Sequence, residues 1–157
     1  LIDVEIEDDA WRAVLPDADE VARGAAEAAL AGLPSGPRAG AALVVLLTGD
    51  EEVADLNLRF RGKPGPTNVL SFPAPDNPEG HLGDIALAYG VCRREAEAQN
   101  KLLEHHLQHL VVHGVLHLVG FDHMTDAEAV EMEGLERAVL AGLGTPDPYA
   151  AEQGEDG

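Results

Sequence analysis

The sequence predicts an α+β fold, a single domain in which a small mixed sheet of about four strands is covered by helices. Three features of the 157 residues predict it. Short apolar or alternating runs of strand length are separated by longer stretches of helical periodicity, the runs follow the order β-α-β-α-β-β-α-α, and no internal repeat divides the chain.

The opening "LIDVEIE" alternates apolar and acidic residues with the period of two of a half-buried strand. From Asp17, "DADEVARGAAEAALAGL" is alanine-rich, with acids in its first turn and Gly32 and Pro34 at its end, the start and stop signals of a helix. "AALVVLLTG" is a continuous apolar run of strand length and belongs in the middle of a sheet. "DEEVADLNLRF" places acids at a helix N-terminus and Val53, Leu56 and Phe60 on one stripe. Glycines and prolines then break the chain into loops around two short strands, "NVLSF" and "DIALAY". From Val91 the pattern is helical to about Glu104 and continues, or restarts, through Leu118, with Gly120 closing it. Thr125 and Glu128 form a capping box for a last amphipathic helix. The domain is expected to span 1–143, and 144–157 has the composition of a flexible acidic tail.

A single cysteine, Cys92, excludes an internal disulfide and thiolate-rich zinc sites, so a metal site must be built from histidine and carboxylate. The acidic N-terminus lacks the basic start and apolar run of a signal peptide, and no stretch approaches transmembrane length. A soluble, cytoplasmic protein without a membrane partner is therefore expected. Asp and Glu number 29 against 10 Lys and Arg, a net charge of -19. That surface repels polyanions overall, yet screening over roughly 8 Å lets a local basic patch act independently. The cations are clumped: Arg59, Arg61 and Lys63 in one group, Arg93, Arg94 and Lys101 in another.

Residues 113 to 123 read "HGVLHLVGFDH". On a helix, His113 and His117 lie four residues apart and project from one face, where they can grip one ion. Gly120 lets the chain turn out of the helix and brings His123 round as a third ligand. Three neutral imidazoles leave a fourth tetrahedral position open, the mark of a catalytic rather than a structural metal site. The site is thus expected at the end of a central helix. The spacing is that of the metzincin protease motif H-E-x-x-H-x-x-G-x-x-H, but position 114 is glycine where those proteases carry their general base. The metal reading survives and the protease reading does not. His105, His109, His113 and His117 form one stripe; His109 lies too far along the helix to meet His123 and is expected to pack or to support a ligand, while His105 and His106 are expected in solvent. Asp122 either orients a ligand or caps the following turn.

These residues resemble the YbeY family of bacterial endoribonucleases involved in ribosomal RNA maturation, whose signature reads H-G-x-L-H-L-x-G-Y-D-H. Phe121 stands where the family usually has tyrosine. "LNLRFRGKPGPTNVLSFP" and "LGDI" at Leu82 to Ile85 extend the resemblance, which runs from about Leu56 to Glu136. It implies a zinc ion, one per chain, or another divalent transition metal, on His113, His117 and His123, and an arginine important for activity that maps to Arg61. Arg61 and His117 are accordingly the expected catalytic residues. The guanidinium fork suits phosphate oxygens as charge builds on a phosphorane. Asn68 and Ser71 are read as turn-capping and strand-end hydrogen bonders.

The function implied is metal-dependent, single-strand-specific cleavage of ribosomal RNA in maturation, including the 3′ end of 16S rRNA, and in ribosome quality control. The partners implied are single-stranded ribosomal RNA, a small-subunit ribosomal protein and the GTPase Era; DNA is not expected. The metal can act as a Lewis acid on a phosphate oxygen or by lowering the pKa of its water to near 7, and no general base stands out. With aromatic residues at 4% of the chain and so negative a charge, stacking should be a minor part of recognition, and binding to naked RNA weak and salt-sensitive. The alternative is a non-enzymatic ribosome assembly factor in which the metal only pins the loop after Gly120.

Overall fold

The computed structural model describes residues 1–34 and 41–150. Its elements, in chain order, are β1 (Ile2–Ile6), α1 (Ala10–Val14), α2 (Ala18–Ala31), β2 (Ala42–Thr48), α3 (Asp50–Arg61), β3 (Val69–Pro73), β4 (His81–Ala88), α4 (Tyr89–Ala98), α5 (Leu103–Leu118) and α6 (Asp126–Gly142). The four strands form one mixed sheet in the order β1-β2-β4-β3. β1, β2 and β4 run parallel, and β3 lies antiparallel on the edge, with Ser71 opposite Ile85 and Phe72 opposite Asp84. The predicted α+β domain is the fold found.

Both faces of β2 and β4 are covered, which is why "AALVVLLTG" shows no alternation. On one face Val45, Leu47, Ile85 and Leu87 join α2, α5 and α6 in the main core. On the other, Leu70, Ala86 and Ala88 pack with Val53 of α3 in a smaller cluster. α2 buries alanines 18, 22, 25, 26 and 29, small side chains at helical spacing that let it lie close against its neighbours. α5 comes closest to the sheet at Gly114: a Cβ there would stand 2.9 Å from Cγ2 of Ile85.

Three boundaries differ from expectation. α1 was not predicted; its single turn carries Trp11, which is fully buried and donates from Nε1 to the Thr48 carbonyl at 2.9 Å, fixing the end of β2. The helix from Val91 stops at Ala98, and the chain turns through Asn100 at φ 57° before α5 starts at Leu103. The expected tail at 144–157 lies partly outside the described residues. Through Ala150 the chain folds back on α5 and α6: Thr145 is buried and bonds the Gln108 side chain, and Tyr149 reaches Glu136.

Candidate metal centre and its surroundings

α5 ends in a Schellman arrangement. The Phe121 N–H donates to the Leu116 carbonyl at 3.0 Å and the Gly120 N–H to the His117 carbonyl at 3.1 Å, with Gly120 at φ 105°. The last carbonyls of the helix are thereby satisfied and the chain reverses, carrying His123 back toward the helix face. Asp122 accepts from the His123 backbone N–H at 2.8 Å, so its carboxylate caps this turn. The capping box at Thr125 and Glu128 forms as predicted and starts α6 directly afterwards.

The structure brings His113, His117 and His123 together. One ring nitrogen from each lies within 4.8 Å of the others, and the ring centroids are 4.7, 5.1 and 5.7 Å apart. Burial, then the neighbouring His113 and His123, lower the pKa of His117 and keep its ring neutral, the form that ligates metal. Nδ1 of His113 lies 3.2 Å from Oε2 of Glu136, so the ring donates there from Nδ1 and Nε2 is the nitrogen left to ligate an ion. Three imidazole nitrogens converging from the end of α5 and the turn that follows it fit a transition metal that favours imidazole, and His113, His117 and His123 can hold such an ion.

Glu136 is the residue that sequence reasoning missed. It is 1% exposed, and besides His113 its carboxylate accepts from His109 Nε2 at 2.6 Å and from the Tyr149 hydroxyl at 2.7 Å. Burial alone would push its pKa up, but the hydrogen bonds from His109 and His113 outweigh it and hold the carboxyl down at about 2. The signal was present in α6, where Glu136 occupies the same buried stripe as Met132, Val139 and Leu140. A carboxylate on an apolar stripe has to be paired.

His106 corrects an expectation. It is buried rather than solvated, and its Nε2 lies 2.9 Å from Oε1 of Glu95, which also accepts from Asn68 Nδ2 at 3.0 Å. Burial lowers its pKa against the opposing pull of Glu95, so the neutral ring donates to the carboxylate. This network ties α5 and α4 to the start of β3. The histidines of α5 therefore differ in role, with His106 and His109 acting as struts and His113 and His117 at the metal-competent end.

Arg61 is not part of the histidine cluster. It is the last residue of α3, exposed, on the opposite face of the sheet, in an open groove of about 590 Å³ shared with Leu46, Leu56, Phe60, Phe72 and Asp84. The edge strand connects the two places. Ser71 lines this groove while its hydroxyl reaches the Gly114 carbonyl, beside His113, at 3.3 Å. Leu118, at the end of α5, lies over Gly83, which pairs with Pro73. The C-terminal ends of α3 and α5 thus flank one stretch, Ser71–Pro73, from the two faces of the sheet.

A family model described as Endoribonuclease YbeY matches residues 5–144. Among curated proteins the chain is 54% identical over 153 residues to Endoribonuclease YbeY of Azorhizobium caulinodans, covering 95% of this chain and 96% of that one. It is 51% identical over 151 residues to the protein of the same name from Maricaulis maris, covering 96% and 92%. The solution structure of TM1509 from Thermotoga maritima has a similar fold, with a TM-score of 0.55 at 23% identity over 94% of this chain and 98% of that one.

Proposed function

Since the chain belongs to the endoribonuclease YbeY family and shares its endoribonuclease activity, we propose that it cuts single-stranded ribosomal RNA with a zinc ion on His113, His117 and His123 and with Arg61 on the phosphate. The observation that carries this reading is the convergence of three imidazole nitrogens within 4.8 Å in a chain whose curated relatives are named endoribonucleases. Those names favour a nuclease over the assembly-factor alternative.

Zinc suits the donor set, three nitrogens and no thiolate, and when bound it supplies positive charge and Lewis acidity beside a phosphate. The chain's own residues do the rest. Glu136 fixes the proton of His113 on Nδ1. Arg61 keeps its fork of donors available, since among the described residues it makes no hydrogen bond or ion pair with the protein. Its planar guanidinium matches two phosphate oxygens at once and stabilises the charge that builds on them during cleavage. On this reading the activity serves ribosomal RNA maturation, at the 3′ end of 16S rRNA, and ribosome quality control, in the cytoplasm. A net charge of -19 supports delivery by docking partners, a small-subunit ribosomal protein and the GTPase Era, rather than by attraction to naked RNA.

The test is cleavage of a single-stranded ribosomal RNA precursor by the wild-type protein, His117→Ala and Arg61→Ala prepared identically. Cleavage by the wild type alone, stopped by a chelator and restored by zinc, is the expected outcome. Equal cleavage by all three preparations would assign the activity to a contaminant and sink the proposal. A terminal 2′,3′-cyclic phosphate on the products identifies the ribose hydroxyl as nucleophile; its absence identifies water.

A further inference from the structure

We propose that the groove beside Arg61 is a nucleobase-binding subsite in which a base of the RNA substrate stacks on Phe60; the proposal deepens, and rests on, the nuclease reading. The composition predicts little stacking, and the structure concentrates what there is. Among the described residues Phe60 is the one aromatic side chain that is mostly exposed, at 62%. The other aromatics are buried or half-buried, Trp11 against Tyr89 and Tyr149 against His109.

Phe60 does not stand alone. Its ring meets Phe72 edge-on at 5.6 Å, and both line the open groove with Leu46, Leu56, Arg61 and Asp84. The order of groups follows from the chain: Arg61 is next to Phe60 in α3, Phe60 touches Phe72, and Phe72 stands opposite Asp84 in the β3–β4 ladder. A cation, an aromatic platform and a carboxylate therefore succeed one another, the carboxylate lying with Oδ1 3.3 Å from Nε2 of His81. A nucleotide has the complementary order. Its phosphate meets Arg61, its base lies on the rings, and the N–H donors at the far edge of the base meet Asp84, which repels any phosphate that would bind in the reverse sense.

Charge complementarity names the occupant. Within a chain of net charge -19, Arg61 and Lys63 are exposed cations whose side chains make no hydrogen bond or ion pair with the described residues. A neutral peptide strand or an uncharged lipid would use the apolar rings without needing them. Edge packing against Phe72 and the Arg59 guanidinium, 5.3 Å from the ring centroid, hold the Phe60 ring in place, which lowers the entropy lost when a base settles on it; a base stacking on the face that Arg59 covers takes the place of that guanidinium. Position matters as well, because the groove opens at Ser71–Pro73, the stretch whose other face carries the end of α5. A base held here places the adjoining phosphodiesters at the β3 edge, where the strand passes toward His117.

The experiment uses the full chain loaded with zinc and a single-stranded oligoribonucleotide. The native Trp11 is fully buried and gives a constant background, so F60W reports directly on the groove. RNA should quench the F60W indole, and an oligonucleotide with abasic riboses, which keeps every phosphate, should not. In parallel cleavage assays F60A should raise KM about tenfold with kcat little changed. F60W should restore KM, and F60L, equally apolar but without a π face, should not. Wild-type KM in F60L, or quenching by abasic RNA equal to that by normal RNA, would overturn the proposal. Absence of cleavage by the wild type with quenching retained would count against the nuclease reading and leave base binding standing.

Discussion

Oε2 of Glu136, on α6, accepts the Nδ1 proton of His113, on α5, at 3.2 Å, and the carboxylate is sealed from solvent at 1% exposure. The bond fixes which nitrogen His113 turns to an ion. Glu136→Gln keeps the shape and removes the charge, and it should weaken zinc affinity about 10- to 100-fold, the usual effect of losing an outer partner of a ligand. Competition against a chromogenic chelator reads this without any RNA. Unchanged affinity in the variant would mean that the triad is oriented without Glu136.

The same carboxylate makes the C-terminal segment part of the domain. Tyr149→Phe deletes a hydrogen bond to a buried anion and should cost about 1.5–3 kcal/mol of stability. Truncation after Gly144 removes Tyr149 together with buried Thr145 and should cost at least as much relative to truncation after Ala150. Urea titrations decide it, and equal midpoints for both truncations would confine the domain to the first 144 residues.

His106 gives stability a dependence on pH. Its folded pKa lies below the ordinary 6.5 because burial disfavours the charged ring. The proton therefore binds the unfolded chain better, so its contribution is complete above about pH 6.5 and is lost as pH falls from there through the lowered folded value. With chelator present throughout, His106→Gln should lose less stability than the wild type between pH 7 and pH 5. Parallel curves for the two proteins would assign the slope to other groups.

Gly114→Ala tests how closely α5 must approach the sheet. The added methyl would stand 2.9 to 3.3 Å from three carbons of Ile85, and relief requires the helix to lift or Ile85 to leave its rotamer. Overpacking of this kind costs about 1–3 kcal/mol. The double variant Gly114→Ala with Ile85→Val should recover part of the loss, and a failure to recover would place the strain elsewhere in the helix.

A sequence carries local patterns, and packing decides the meetings between distant residues. The strands, the alanine-rich α2, the capping box at Thr125 and the histidine spacing are local patterns, each written in residues a few positions apart. Glu136 and Tyr149 meet His109 across 27 and 40 positions, and no periodicity announces a meeting of that kind. His106 looked like a surface residue because its partner Glu95 belongs to another helix, with the turn at Asn100 between them. Trp11 made α1 where no helical period exists, since one buried ring bonded to Thr48 suffices to organise a turn. Arg61 was found by its motif, but its place on the far side of the sheet follows only from the topology.

Under the proposed function, that placement selects the substrate by stiffness. α3, which ends in Arg61, and α5, which carries His113 and His117, flank the edge strand β3 from opposite faces of the sheet, so a polymer that touches both must fold around an edge only one strand thick. A double helix, whose persistence length is about 150 base pairs, resists so tight a bend, whereas an unpaired strand turns freely at each phosphodiester. Discrimination against duplexes then needs no residue that reads base pairing, because the curvature demanded by the fold performs it.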